Sequence, residues 1–296
     1  MSKNPTEKER SWLLPAAKHG ALKAGLYLVA GPIGNLADIT IRALDTLEKA
    51  DGILCEDTRV SGKLLAYYGI KNKLEIYNDH SDDHKRAQIL GRIQGGAALA
   101  LMSDAGTPLI SDPGYKLVAD LTAAGLPVTS LPGANAPLTA LQLSSLPSDR
   151  FSFIGFLPAK SGARRTVLQE WASVPSTILA FETAPRLLKT LEDLKTLMPS
   201  RRIVVARELT KMFEEIKSGT ASELKSYYEA HGLPKGEIVL VIAPPELEDI
   251  TLVDLESLLK AALSSMSTKD AAAFVSAQTG TPRKTVYALA LEITKS

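Results

Sequence analysis

Two α/β domains followed by a small all-helical unit are what this sequence predicts, and three observations predict it. Short apolar runs alternate with amphipathic helical patterns through the first half of the chain. The alternation restarts beyond Leu146-Pro147-Ser148-Asp149-Arg150. An acidic, proline-marked stretch, Pro244-Pro245-Glu246-Leu247-Glu248-Asp249, then precedes a tail whose pattern is helical only. The expected units are a polar, flexible extension over 1–25, α/β domains over 26–147 and 148–245, and a helical unit over 246–296.

In the first domain, strands are expected at 26–30, 52–55, 74–77, 98–102 and 128–131. Asp38 offers a cap for a helix carrying Ile41, Leu44 and Leu47. A helix over 62–68 closes at Gly69, and another spans 82–93. Asp112-Pro113 reads as a cap followed by proline, starting a helix to about 124. Strand–helix alternation of this kind argues for a mostly parallel sheet covered on both faces. In the second domain, strands are expected at 151–156, 177–181, 203–207, 213–217 and 237–242. Helices are expected at 163–171, 185–197 and 221–228. Several of these strands have hairpin-length connections, so a mixed sheet is expected.

The tail shows one helix over 269–278, ended by Gly280. A second is capped by Thr281 with Pro282 in its first position. Val286, Ala290 and Ile293 share one face. Spacing alone leaves a helix-turn-helix or a helical hairpin that packs or dimerises, and it favours the hairpin.

The chain has 296 residues, 45% of them hydrophobic, enough for two domains with cores of their own. Its net charge is +1, so any contact with nucleic acid has to come from a local basic patch. The single cysteine, Cys55, lies in an apolar run and reads as a buried strand residue. No intramolecular disulfide can form, which fits a reducing compartment. No apolar stretch has the length of a signal peptide core or a transmembrane helix. A soluble cytoplasmic protein is expected, without membrane association.

Two glycine-proline loops follow strands directly: Gly31-Pro32-Ile33-Gly34-Asn35-Leu36 and Ser103-Asp104-Ala105-Gly106-Thr107-Pro108. Open α/β sheets bind ligands beyond the carboxyl ends of their strands, where these loops belong. Glycine lets backbone approach a ligand and proline fixes the loop. Neither G-x-G-x-x-G nor a Walker sequence is present. That argues against hydride transfer and ATP hydrolysis.

Gly31-Pro32-Ile33-Gly34-Asn35-Leu36-Ala37-Asp38-Ile39-Thr40 and Ser103-Asp104-Ala105-Gly106-Thr107-Pro108-Leu109-Ile110-Ser111-Asp112-Pro113-Gly114 resemble signatures of the ribosomal RNA small subunit methyltransferase I family, in the tetrapyrrole methylase superfamily. Glu56-Asp57-Thr58-Arg59, Leu131-Pro132-Gly133-Ala134, Gly155-Phe156-Leu157-Pro158-Ala159-Lys160, Arg207-Glu208-Leu209-Thr210-Lys211 and Lys235-Gly236-Glu237 continue the resemblance in order. It implies the two-domain tetrapyrrole methylase fold, with S-adenosyl-L-methionine in the cleft between the domains. It also implies an appended helix-turn-helix and a homodimer. The implied reaction is 2′-O-methylation of a cytidine ribose in the decoding region of 16S ribosomal RNA, with the 30S subunit as the expected partner. The chain departs from the family where a Phe-Tyr-Glu-x-x-x-Arg block is shortened to Phe181-Glu182-Thr183-Ala184-Pro185-Arg186. A histidine often found before that arginine is absent, so no proton-transfer role is placed there.

On this resemblance, Pro32, Ser103, Asp104, Ala105, Gly106, Thr107, Pro108, Pro132, Gly133, Ala134, Leu209 and Gly236 are the cofactor-binding candidates. Asp57, His80 and Lys211 are the candidates to handle the acceptor proton or polarise the hydroxyl. Arg59, the cluster Lys160, Arg164 and Arg165, and the pair Arg283 and Lys284 are the candidate RNA contacts. A sulfonium already activates its methyl group, so no metal is expected. Two other readings stay open. The same fold methylates tetrapyrrole carbon in other members, although those tend to carry Gly-Pro-Gly-Asp in the first loop. A non-catalytic ribosome-binding protein that senses S-adenosylmethionine is the other.

Overall fold

The computed structural model describes residues 20–78, 83–245, 252–264, 266–279 and 281–295. The extension is therefore outside the described residues as far as residue 19, as is the acidic stretch after Pro245.

The first half builds β1 (Gly25–Val29), α1 (Ile41–Lys49), β2 (Gly52–Cys55), α2 (Thr58–Tyr68), β3 (Leu74–Ile76), α3 (Asp83–Gln94), β4 (Ala98–Met102), α4 (Tyr115–Ala123), β5 (Val128–Leu131) and α5 (Ala136–Ser144). The strands form one sheet in the order β3-β2-β4-β1-β5, with parallel pairings throughout. Both faces are covered. Ala43, Leu44, Leu47, Leu64 and Leu65 of α1 and α2 pack on one. Ile89, Ile93, Leu117 and Leu121 of α3 and α4 pack on the other. The central β4 is accordingly apolar at every position, and every residue of it is buried.

Local details differ from the sequence reading. Asp38 belongs to a short 3-10 turn (Leu36–Asp38) capped by Asn35, and Thr40 is the residue whose side chain caps α1. Helix α2, capped by Asp57, begins four residues before the expected start, and Gly69 closes it in the left-handed conformation. The Asp112-Pro113 start of α4 is displaced to Tyr115. Gly114 precedes it at φ +131, and Leu109 and Ser111 also have positive φ. The chain spends these residues shaping a long loop before helix can begin.

The second half builds β6 (Phe151–Phe156), α6 (Ser161–Ala172), β7 (Thr177–Thr183), α7 (Leu187–Leu197), β8 (Ile203–Arg207), β9 (Glu215–Gly219), α8 (Ala221–His231) and β10 (Glu237–Ile242). Their sheet runs β6-β7-β10-β8-β9. Only β6–β7 is parallel; the other three pairings are antiparallel. Alternation along the strands sorts the core by period two. Ile178, Ala180, Val205, Leu240 and Ile242 face α6, α7 and α8. Leu179, Val204, Ala206, Val239 and Val241 face the opposite way, onto Ala140 and Leu141 of α5. Helix α5 is absent from the sequence reading, which stops at the Pro132-Gly133 break. Its signals are present: Asn135 accepts from Leu138 N–H at 3.0 Å and Pro137 sits in its first turn. It follows the first sheet in the chain and packs on the second, so the two sheets form one compact unit.

The C-terminal helices form another compact unit, described here by itself. Among the described residues it has three helices, α9 (Leu252–Leu263), α10 (Thr268–Thr279) and α11 (Arg283–Lys295), where the sequence predicts two. Their core is Leu255, Leu259, Ala271, Val275, Val286 and Ala290. Pro282 sits just before α11, its carbonyl accepting from Val286 N–H at 3.2 Å. The expected stop at Gly280 lies outside the described residues.

Candidate active site

The two glycine-proline loops lie side by side beyond β1 and β4. Gly31 N–H donates to Gly106 O at 2.9 Å, and Gly106 N–H returns to Gly31 O at 3.1 Å. This reciprocal pair requires Gly106 at φ +73, a backbone state that side chains disfavour. The buried Ser103 hydroxyl also donates to Gly106 O, at 3.1 Å. Thr107 Oγ1 donates to Ala134 O at 3.0 Å and accepts from the Asn135 side-chain amide at 3.2 Å. The Pro132–Ala134 turn is thereby tied to the second loop. Gly133 packs directly on Ala30, where a Cβ would fall 2.6 Å from the alanine Cβ.

The second domain closes on these loops with the turn after β8. Asn35 N–H donates to Thr210 Oγ1 at 3.1 Å. The stem of Lys211 lies so close to Gly34 that a Cβ there would collide with it. Glu208 and Thr210 both have positive φ. Lys211 Nζ bonds Glu208 Oε1 at 2.9 Å and Glu237 Oε2 at 2.6 Å. Gly236, at φ +95, abuts the Glu208 carboxylate and leaves no space for a Cβ.

Two cavities flank the loops. The first, about 380 Å³, lies between the domains. Ala105, Gly106 and Thr107 form one side, and Leu209, Gly236 and Val239 form the other. The second, about 410 Å³, opens over the first sheet and is lined by Pro32, Ser103, Asp104, Ser61, Tyr67 and Lys211. Ile33, Ala105 and Glu237 border both. The cofactor candidates thus divide. Ala105, Gly106, Thr107, Leu209 and Gly236 line the first cavity. Pro32, Ser103 and Asp104 line the second, and Ala105 also faces it. Pro108, Pro132, Gly133 and Ala134 line neither; Pro108 is buried, and Ala134 acts through its carbonyl.

The candidate proton acceptors also separate. The Asp57 carboxylate accepts from Arg59 Nε and Nη2, the latter at 2.5 Å, and from Arg59 N–H. Hydrogen bonding by the Arg59 side chain, then by its backbone, holds the Asp57 carboxyl down at about 2. Such a carboxylate is a weak base, and its place is at the helix cap, orienting Arg59. Lys211 is held charged. Burial works against its charge, but the bonds to Glu237 and Glu208 outweigh it and raise its pKa. A charged ammonium has no free pair with which to take a proton. His80 lies outside the described residues.

Of the candidate RNA contacts, Arg164 is a correction. It is 1% exposed. It bonds Asp193 through Nε at 2.8 Å and Nη2 at 2.6 Å, and its Nη1 reaches the carbonyls of Pro158 and Ala159. The i to i+1 step along α6 that leaves Arg165 exposed turns Arg164 inward. Lys160, Arg165 and Arg59 are exposed, as are Arg283 and Lys284 at the start of α11.

Asp112, Asn135, Phe156, Phe181 and Glu182 also line the first cavity and are not among the site candidates the sequence offers. Glu182 is 2% exposed. Its Oε1 accepts from Thr183 N–H and pairs with Arg186, and its Oε2 accepts from Thr190 at 2.5 Å. The shortened Phe-Glu-x-x-x-Arg block is thus a buried ionic floor beneath the cavity.

A parallel sheet and a mixed sheet around an interdomain cavity define a class, the tetrapyrrole (corrin/porphyrin) methylases, whose family model matches residues 25–225. The model of the RsmI C-terminal HTH domain matches residues 251–294, so the hairpin favoured by spacing gives way to a helix-turn-helix. The chain is 51% identical over 272 residues to the ribosomal RNA small subunit methyltransferase I of Erythrobacter litoralis, covering 92% of this chain and 96% of the relative. It is 45% identical over 273 residues to that of Mesorhizobium japonicum, covering 92% and 93%. The chain belongs to the ribosomal RNA small subunit methyltransferase I family, and it is an enzyme, a methyltransferase. In fold it is similar to diphthine synthase, at a TM-score of 0.58 and 15% identity over 74% of this chain and 89% of that one. It is also similar to uroporphyrin-III C-methyltransferase from Thermus thermophilus, solved with S-adenosyl homocysteine, at 0.52 and 17% over 74% and 97%. Among the described residues no helix is long and apolar enough to cross a membrane.

Proposed function

We propose that this enzyme transfers the methyl group of S-adenosylmethionine to the ribose 2′-oxygen of a cytidine in the decoding region of 16S ribosomal RNA. The supporting observation is the first cavity. Its volume of about 380 Å³ falls in the ordinary range for small-molecule sites. Apolar walls from Ile33, Leu209 and Val239 suit an adenine ring. Gly106 and Gly236 hold their walls in conformations that bring backbone to the ligand. The residues present fit the cofactor, and Ala105, Gly106, Thr107, Leu209 and Gly236 are the ones that would hold it.

When bound, S-adenosylmethionine supplies a methyl group on a sulfonium, so that an oxygen–carbon bond forms as the carbon–sulfur bond breaks and its electron pair stays on sulfur. The protein's part is alignment and exclusion of water. The loop pair Gly31–Gly106 fixes one wall and the Glu208–Lys211 turn fixes the other. Arg59, Lys160, Arg165, Arg283 and Lys284 would meet phosphates. The same reading makes the enzyme a cytoplasmic homodimer acting within the 30S subunit.

The test is transfer of labelled methyl from S-adenosylmethionine to small ribosomal subunits lacking native modification, followed by nucleoside mapping. Label on a 2′-O-methylated cytidine is expected. Bound cofactor without label on RNA would move the acceptor elsewhere. Deleting residues 246–296 is expected to weaken RNA binding roughly tenfold through lost phosphate contacts. S-adenosylmethionine affinity by calorimetry should not move. Equal loss of both would make the tail structural.

A further inference from the structure

The second cavity holds a carboxylate that the sequence reading assigned to the cofactor. Asp104 follows β4, adjoins Ala105 on the wall shared by the two cavities, and lines only the second. Asp104 Oδ1 accepts from Asp57 N–H at 3.2 Å, which fixes the carboxylate at the strand mouth. Among the described residues it forms no ion pair, in contrast to Asp57, which is engaged by Arg59. A nucleotide entering the second cavity would meet Tyr67 and Lys63 on its walls: an aromatic ring and a cation, which suit a base and a phosphate, while the Lys211 ammonium is already held by Glu208 and Glu237.

We propose, on the strength of the ribose-methylation reading above, that Asp104 is the catalytic residue that takes the proton from the acceptor hydroxyl at the wall between the cavities. The O–H bond breaks, its proton passes to a carboxylate oxygen of Asp104, and the electron pair stays on the 2′-oxygen as the attacking pair. The proton then leaves to solvent through the open second cavity. Burial raises the Asp104 carboxyl above the ordinary aspartate range. The bond from Asp57 N–H lowers it, the Asp57 charge raises it, and the Arg59 charge lowers it. Cys55 from β2 also faces it, and Lys63, Tyr67, Lys211 and Glu237 stand around the same cavity. A raised carboxylate is a stronger base than Asp57, whose pair with Arg59 holds it near 2.

Full-length wild type, Asp104→Asn and Asp104→Glu are compared for single-turnover methyl transfer to unmodified small subunits across pH. S-adenosylmethionine affinity by calorimetry and RNA affinity by anisotropy are measured alongside. Asparagine keeps the shape and the acceptor for Asp57 N–H. Loss of a general base costs roughly 100- to 10,000-fold in rate. Asp104→Asn is expected to lose that much while both affinities stay within about twofold. The wild-type rate should fall as pH drops through the carboxyl's raised pKa. Asp104→Asn should lack that limb and Asp104→Glu should recover part of the rate. A wild-type rate in Asp104→Asn overturns the assignment and leaves ribose methylation standing. Loss of cofactor affinity in that variant overturns it too, returning Asp104 to cofactor binding. No transfer to RNA by wild type removes both readings together.

Discussion

Gly106→Val is expected to weaken S-adenosylmethionine binding by roughly 100-fold, about 3 kcal/mol. At φ +73 a residue with a Cβ is strained by about 1–2 kcal/mol, and a β-branched one fares worse. The added Cβ would also stand 3.1 Å from Ile33 Cγ2, tighter than side chains normally pack. Overpacking of this kind costs about 1–3 kcal/mol. Relief requires the loop to move, and movement breaks both hydrogen bonds between Gly106 and Gly31. The exposed Ala105 neighbours the strain, so the loop yields before the sheet does. Calorimetry on the variant, with a urea melt to show that it remains folded, measures this. Normal affinity would sink the placement of the cofactor against this loop.

Arg164→Ala is expected to destabilise the protein by about 3–5 kcal/mol, as when one partner of a buried ion pair is removed. Asp193 would be left buried with the Ser161 hydroxyl, at 3.0 Å, as its remaining side-chain donor among the described residues. The carbonyls of Pro158 and Ala159 would lose their donor as well. Urea denaturation should show the loss as a lower midpoint with an unchanged slope. Arg165→Ala, one residue along and exposed, should leave the midpoint in place and weaken RNA binding. If Arg164→Ala melted like wild type but bound RNA poorly, the basic-cluster expectation would be right after all.

The contrast between these two arginines shows where sequence reading stops. Charge and spacing mark a basic cluster on α6, but only the position of Asp193 on α7 decides which arginine turns inward. The strands were the more legible elements. β2, β4, β5, β6, β8 and β10 occupy the residues expected, because short apolar runs bounded by glycine, proline or charge leave little choice. Helix α4 begins two residues later than the Asp112-Pro113 signal predicts, since that pair carries cap chemistry while the positive φ at Ser111 and Gly114 prevents helix there. Helix α9 lies outside the two tail helices expected, although Leu255 and Leu259 carry its helical spacing. Within the site, Gly106 and Gly236 were legible because a backbone constraint leaves a glycine behind. Phe181 and Glu182 were not. They reach the cavity through the antiparallel register that sets Glu182 opposite Ile238 and Phe181 opposite Val239, and no local motif encodes that pairing.

The first cavity draws its walls from residue 33 through residue 239, with contributions from both sheets and from α5. Neither domain alone owns a binding site. Any molecule that fills the cavity therefore acts as a cross-link between halves of the chain that also meet through α5, Ile33 and the Asn35–Thr210 contact region. Its free energy of binding adds to the cohesion of the whole: occupancy at 100 times the dissociation constant contributes about 2.7 kcal/mol against unfolding. On the proposed reading that the methyl donor is that molecule, its saturation and resistance to heat or proteolysis become two readings of one equilibrium.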